Sequence, residues 1–364
     1  MLELIQDENK FYSMRSDWNR LLEEGGVSNP YLTHEWLSSW WKAYKDDKKL
    51  NIIVFRKQDK IIGAIPLVLT QESILGVPIK VIKFFSDHWG RMDFILAEKN
   101  NECVTEFFNW FHSSKIADVV ILSRIPEDSK NASIIEEVVK NQKFDYKKTG
   151  LKNTVIVLDG TWEAYLKQLT KKFRHEINYK QRKLFALGNI RYERVVEVED
   201  ADKILAALAA VGEKSWKYKD KKGIAVSNQG WQFYRNIIFE WGRTKKLDIS
   251  ILKQNDTPIA FAFRLKHKDT CYALETAYNQ DFYSYSPGLV VNSMLLKSLF
   301  EENGINRYEL GETNDSKKRW SENYSPEARF SIYNKTAKMR VIFLLNKLKS
   351  LFRGGIKQYG NDPE

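Results

Sequence analysis

The sequence predicts a mixed α/β fold, an α+β arrangement around mixed sheets that is built twice in tandem, on three observations. A strand–turn–strand pattern recurs 197 residues downstream, each copy follows an aromatic helical stretch, and the other elements lack regular βαβ alternation. The first copy runs from Leu50 to Leu69 around a polar turn at Lys57 to Lys60, and the second from Leu247 to Leu265. Without a gap, Leu50 falls on Leu247, Ile52 on Ile249, Asp59 on Asp256 and Ile62 on Ile259. The preceding helical stretches are Trp36 to Tyr44 and Trp231 to Trp241. At roughly 150 residues per domain, 364 residues also suggest two domains. The expected units are 1–150 and 151–337, with the boundary near Lys148-Thr149-Gly150, followed by a basic tail, 338–364.

After the first hairpin, strands are expected near Val81 to Phe85, at Phe94 to Leu96 and at Asp118 to Ser123. A helix is expected over Glu102 to Phe111. The second half opens with a strand, Thr154 to Leu158, and helical segments over Thr161 to Leu187 and Ala201 to Trp216. Its hairpin is followed by a strand Thr270 to Tyr278, a helix Pro287 to Glu302, and strands Asn306 to Leu310 and Ala328 to Tyr333.

The chain carries 58 Lys and Arg against 47 Asp and Glu, a formal charge of +11, and the surplus is local. Lys167 to Lys183 is +6, Lys217 to Lys222 is +3, Lys317 to Arg319 is +3 and 338–357 is +6, leaving −7 elsewhere. All four segments lie after residue 160, so an anionic ligand is expected in the second half. Aromatic content of 13% and hydrophobic content of 43% exclude a disordered chain. The acidic start lacks a signal-peptide layout and no apolar run reaches the ~18 residues of a membrane span, so a soluble cytoplasmic protein is expected. Cys103 and Cys271 are isolated, and the five histidines have no ligand spacing, which argues against a disulfide framework and a metal centre. No Gly-x-Ser-x-Gly elbow occurs.

The sharpest local feature is Tyr283-Ser284-Tyr285-Ser286-Pro287-Gly288-Leu289-Val290. Ser286 is placed as an N-cap and Pro287 as the first helical residue. The N–H groups of Gly288, Leu289 and Val290 would then face a phosphate, together with the positive helix end. This segment, with Asp281, Tyr308-Glu309-Leu310-Gly311, Lys318, the basic run Lys171 to His175, Arg182-Lys183, Asn29-Pro30-Tyr31 and Glu35-Trp36-Leu37, resembles the CelD/BcsL-type acyltransferases. That family lies in the broad GNAT class and is related to the tandem Fem-type aminoacyl transferases of cell-wall synthesis. The resemblance implies two GNAT-like domains, the second binding acetyl-CoA or a longer acyl-CoA at Ser286 to Val290, and an acceptor amine such as an amino sugar or amino acid of surface polysaccharide synthesis. The family's glycine-rich pyrophosphate loop is reduced here to one glycine, Gly288.

Acyl transfer to an amine needs a base for the ammonium proton and donors for the oxyanion. Glu275, in an apolar strand, is the first candidate base; Glu312, at the next strand end, is the second. Tyr285 is a candidate acid toward the leaving thiolate, and Arg174, Lys318 and Arg319 are candidate phosphate or anion ligands. Asp87, His88 and Asp93, in a polar-aromatic loop, are expected to face an acceptor cleft between the domains. The tail 338–353 has Val341, Leu344, Leu348 and Leu351 at helical spacing among cations, which suits a peripheral contact with the inner face of a membrane. The alternatives are a Fem-type transfer from aminoacyl-tRNA and a non-catalytic binder of anionic surfaces; no specific nucleic-acid partner is expected.

Overall fold

Both hairpins of the repeat form, and the helices that precede them pack on each other. The structure is a computed structural model; it describes all residues except 87–89, 98–100, 220–222, 225–226 and 354–364, and the side chains of 219 and 346–353 are also outside it. The first half runs β1 (Leu2–Ile5), α1 (Glu8–Ser13), α2 (Arg15–Glu24), a 3-10 turn (Pro30–Leu32), α3 (His34–Tyr44), β2 (Lys49–Leu50), β3 (Ile52–Lys57), β4 (Lys60–Ile65), β5 (Leu67–Ile74), β6 (Val77–Phe84), β7 (Ile95–Leu96), α4 (Asn101–Ser114), β8 (Val119–Pro126) and α5 (Lys130–Asn141). It passes through β9 (Asp145–Val157) into α6 (Trp162–Gln168), α7 (Lys171–Phe185), β10 (Ile190–Val195), α8 (Ala201–Glu213), α9 (Trp216–Lys219), α10 (Asn228–Gly242), β11 (Leu247–Gln254), β12 (Thr257–His267) and β13 (Thr270–Tyr278). A 3-10 segment (Gln280–Tyr285), α11 (Pro287–Phe300), β14 (Arg307–Glu312), α12 (Asp315–Lys318), β15 (Tyr324–Tyr333) and α13 (Ala337–Arg353) complete the chain.

Local chemistry sets the helix starts. Asp7, Thr33, Ser129, Thr170 and Ser227 each place a side-chain oxygen on an amide of the first turn, the N-cap geometry that satisfies an otherwise orphan donor. The repeated helices α3 and α10 meet through Trp36 against Phe233, edge to face at 5.1 Å between ring centroids. Rings of this size bury much apolar area, so the contact joins the two halves into one core that also takes in Tyr31 and Tyr272.

The sheet order carries the duplication further than the sequence pattern did. The larger sheet runs β10-β11-β12-β13-β14-β9-β15-β8-β6-β5-β2, and the smaller β1-β3-β4-β7. Each half contributes one parallel pair, β13 with β14 and β6 with β8, flanked by antiparallel neighbours. The two middle strands are exchanged: β9 pairs with β14, and β15 pairs with both β9 and β8. Residue 150, where the sequence suggested a boundary, therefore lies inside the continuous strand β9, facing Ala328 of β15. Within α13, Met339 and Ile342 pack under Ile79, Val81 and Tyr333, while Val341, Leu344 and Leu345 are exposed.

Candidate active site

The parallel pair β13–β14 separates soon after it forms. Pairing covers Thr270–Arg307, Cys271–Tyr308 and Tyr272–Glu309, and beyond that the facing edge of β13 has no strand partner among the described residues. Two bulges widen the gap. On β13, Phe263 pairs with Glu275 but Arg264 with Ala273, which leaves Leu274 extra. On β14, Glu309 pairs with Val155 but Gly311 with Thr154, leaving Leu310 extra, and Gly311 takes φ +83°. The result is a wedge-shaped cavity of about 420 Å³ walled by both strands, α11, α12 and α9.

Glu275 stands in this wedge. The extra residue at Leu274 shifts the alternation, so Glu275 turns toward α10 and Thr276 toward α11. The Glu275 carboxylate is buried; Tyr234 donates to its Oε2 at 2.6 Å and Lys217 Nζ lies 3.7 Å from Oε1. Gly223 backs it at φ +99°, and a Cβ there would come within 2.5 Å of Oε1. Gly223→Ala is therefore expected to displace the carboxylate: kcat falls about tenfold or more, while the backbone cost of about 1–2 kcal/mol appears separately as a lowered Tm.

Arg264 forms the floor, almost wholly buried, and all its N–H groups are used. Nη1 donates to the carbonyls of Phe263 at 2.8 Å and Glu275 at 2.9 Å, Nη2 to Thr276 Oγ1 at 3.1 Å and to Asn292, and Nε to the Tyr308 hydroxyl. Lys317 enters from α12 and donates to the Glu312 carbonyl at 2.8 Å. Burial first, then the nearby Arg124 guanidinium, lowers its pKa to about 8.

The other sequence candidates fall around this wedge rather than in it. The Glu312 side chain is exposed and accepts from Arg124 Nη2 at 2.7 Å. Tyr285 lies at the end of the 3-10 segment, outside the wedge lining, with Lys183 5.0 Å from its ring centroid. Ser286 does precede α11, but in the left-handed region at φ 51°, and its side chain makes no cap bond, because that backbone turns the hydroxyl away from the first-turn amides. Its carbonyl instead accepts from the Leu289 and Val290 N–H groups, at 3.0 and 3.2 Å, so of the three expected donors only Gly288 N–H has no partner among the described residues. Pro287 is buried, and the space a Gly288 Cβ would need is met by the Tyr278 ring at 3.1 Å. Arg174 caps the end of α6, donating to the Leu166 and Lys167 carbonyls, and Lys318 pairs with Asp315. Arg319 lies 4.1 Å from the Phe173 ring centroid and pairs with Glu176.

Asp87 and His88 lie outside the described residues. Asp93 lines a second cavity, of about 580 Å³, on the first-half side of β13, whose Tyr272 also reaches it. Burial raises the Asp93 pKa to about 6, against hydrogen bonds from Ser129, Asn131 and the Phe94 N–H. A raised carboxyl pKa favours the fold at low pH and loses that contribution as pH climbs through the folded value. Thermal scans should accordingly show the wild type losing stability relative to Asp93→Asn between about pH 4 and pH 7.

An extended, amide-bearing chain such as pantetheine suits the open edge of β13, whose backbone groups on that side face the wedge. The start of α11, with one spare N–H, does not form a three-donor cradle for a diphosphate. Sequence reasoning missed Lys317, Lys217, Tyr234 and Arg264. Of these only Arg264 carried a cue, a charged residue amid an otherwise apolar strand.

Residues 171–320 match the acetyltransferase (GNAT) domain family. That match assigns acyltransferase chemistry to the second half, where the wedge lies. No curated protein matches the sequence. Among solved structures, FemX is similar with a TM-score of 0.60 at 12% identity, over 90% of this chain and 98% of its own. A conserved protein of unknown function from Bacteroides thetaiotaomicron is similar at 0.59 and 11% identity, over 92% and 100%. The L-PGS structure from Bacillus licheniformis gives 0.54 and 14%, over 94% and 96%. At these identities the likeness is one of fold.

Proposed function

We propose that the protein is an N-acyltransferase that uses an acyl-CoA thioester and an amine acceptor, an amino sugar or amino acid, in surface polysaccharide synthesis. The observation that carries this reading is the buried Glu275 carboxylate beside an open strand edge in the β13–β14 wedge. Glu275 takes a proton from the acceptor's ammonium group and frees the amine that attacks the thioester carbonyl, while Tyr234 and Gly223 hold its carboxylate in place. The backbone donors of β13 stabilise charge on the carbonyl oxygen until the C–S bond breaks and the departing thiolate takes up the second amine proton. In this reading the unit after β9 holds the donor, the first half shapes the acceptor side through the Asp93 cavity, and the tail is accessory.

A second reading, transfer from aminoacyl-tRNA, is favoured by two features. The α11 start offers little for a diphosphate, and α7 presents the exposed Tyr179 and Phe185 among its six Lys and Arg residues. A thermal-shift panel separates the two. Acetyl-CoA or a longer acyl-CoA raises Tm in the first case; failure of every thioester together with salt-dependent tRNA binding selects the second.

No helix among the described residues is long and apolar enough to cross a membrane. The exposed Val341, Leu344 and Leu345 beside Lys338 and Arg340 suit a peripheral contact with the membrane's inner face. Sedimentation with vesicles containing anionic lipid is expected to capture the chain at low salt and release it at high salt.

A further inference from the structure

The charges lining the wedge do not balance. Lys217, Arg264 and Lys317 face a single lining carboxylate, Glu275, among the described residues. Lys217 is ion-paired with Glu275 at 3.7 Å, whereas neither Arg264 nor Lys317 has a carboxylate within ion-pair distance among the described residues. Arg264 is satisfied entirely by neutral oxygens, so its charge is solvated by dipoles but not neutralised. Lys317 spends one proton on the Glu312 carbonyl. Its surroundings are Arg124 on β8, Arg264 on β12, Lys217 on α9 and the Glu312 side chain on β14, with Asp315 and Lys318 on its own helix, the last two paired with each other. Most of these neighbours are cations. Arg264 is buried and the two lysines are half-buried, so this excess of positive charge is poorly solvated unless an anion joins it, and ammonium groups with unused donors are the means of receiving one.

We propose that the wedge recognises a carboxylate carried by one of the two reactants, received by the Lys217 and Lys317 ammonium groups above the Arg264 guanidinium. The pattern is two-sided. An α-amino acid would set its ammonium group on Glu275 and its carboxylate on the lysines; a dicarboxylic acyl donor would present its distal carboxylate to the same pair. The identity of the reactants rests on the acyltransfer reading above, whereas the anion site does not. The lowered pKa of Lys317 agrees with this site, because a bound carboxylate would offset the cations that help to lower it.

The first test needs no turnover. The full chain is mixed with succinate or with succinamide, its neutral counterpart. Tm is followed, together with the pH dependence of Lys317 acylation by an amine-reactive reagent, read by peptide mass spectrometry. Succinate is expected to raise Tm and move the Lys317 midpoint upward from about 8, succinamide to do neither, and the Lys217→Met/Lys317→Met double variant to lose the succinate effect. Equal behaviour of the two probes on the wild type overturns the proposal, whether or not the variant folds. So does a succinate shift that survives in a folded double variant.

The second test finds the source of the carboxylate. Succinyl-CoA is compared with butyryl-CoA on one amine, and alanine with alaninamide using acetyl-CoA. The pair whose charged member is preferred about tenfold or more in kcat/KM, with the preference lost in Lys317→Met, names the reactant. Turnover in both pairs without preference overturns the proposal. Succinate binding without turnover of any pair leaves the anion site standing and sinks the acyltransfer reading instead.

Discussion

Glu275→Gln is expected to lower kcat by about 100-fold or more, the range for losing a positioned general base, with Tm almost unchanged. Gln keeps an oxygen for the Tyr234 hydroxyl, now 2.6 Å from Glu275 Oε2, and keeps the side-chain volume behind which Gly223 packs. What it removes is the group that accepts the ammonium proton and the partner of Lys217. The pH profile separates base loss from mere misplacement. Without an internal base the reaction depends on amine already deprotonated in solution, so the residual rate should climb about tenfold per pH unit across pH 7–9, more steeply than in the wild type. Steady-state rates on a saturating acceptor check both points. Activity within about threefold of wild type would exclude Glu275 as the base.

The wedge was only partly legible in the sequence, for a physical reason. Strand Thr270–Tyr278 and the helix from Pro287 were readable because alternation and the Ser-Pro-Gly start are local signals, and both elements formed where expected. Glu275 was readable as one carboxylate in an apolar strand. Its direction was not, because a single extra residue at Leu274 decides which face it takes, and nothing in the local pattern marks that bulge. The α11 start misled because Ser286 occupies the N-cap position in a left-handed conformation, a backbone choice imposed by the preceding 3-10 turn. Lys317 was hidden inside a basic run, where three adjacent cations look alike. Only the fold separates the one that enters the cavity from Lys318, paired with Asp315, and Arg319, paired with Glu176. The exchange of β9 and β15 was beyond reach, since the repeat marks equivalent strands but not which half each one joins.

That exchange gives the second large effect. Glu327→Ala is expected to cost about 3–5 kcal/mol, as when one partner of a buried ion pair is removed. Glu327 is fully buried on β15; Arg124 Nη1 donates to it at 2.9 Å and Arg91 Nε lies 3.3 Å away, both arginines coming from the first half. A bulge in β8 delivers Arg124: Ile125 pairs with Ala328 and Leu122 with Phe330, and Arg124 takes φ 63°. Removing the carboxylate takes from Arg124 and Arg91 the fully buried partner they share where β8 meets β15, leaving Arg124 the exposed Glu312 and Arg91 the Glu309 carboxylate at 3.3 Å. Glu327→Gln should behave differently. Burial, ahead of the opposing pull of Arg124 and Arg91, raises the Glu327 pKa. Its protonated form therefore favours the fold below the ordinary glutamate range, and that contribution is lost as pH rises through the folded value. Gln imitates the protonated state and still offers Arg124 an acceptor, so it should match the wild type in acid and gain on it as pH rises. Urea unfolding across pH 4–8 distinguishes the two substitutions. If Ala and Gln cost the same at every pH, the joint between the halves rests on packing rather than on this buried carboxylate.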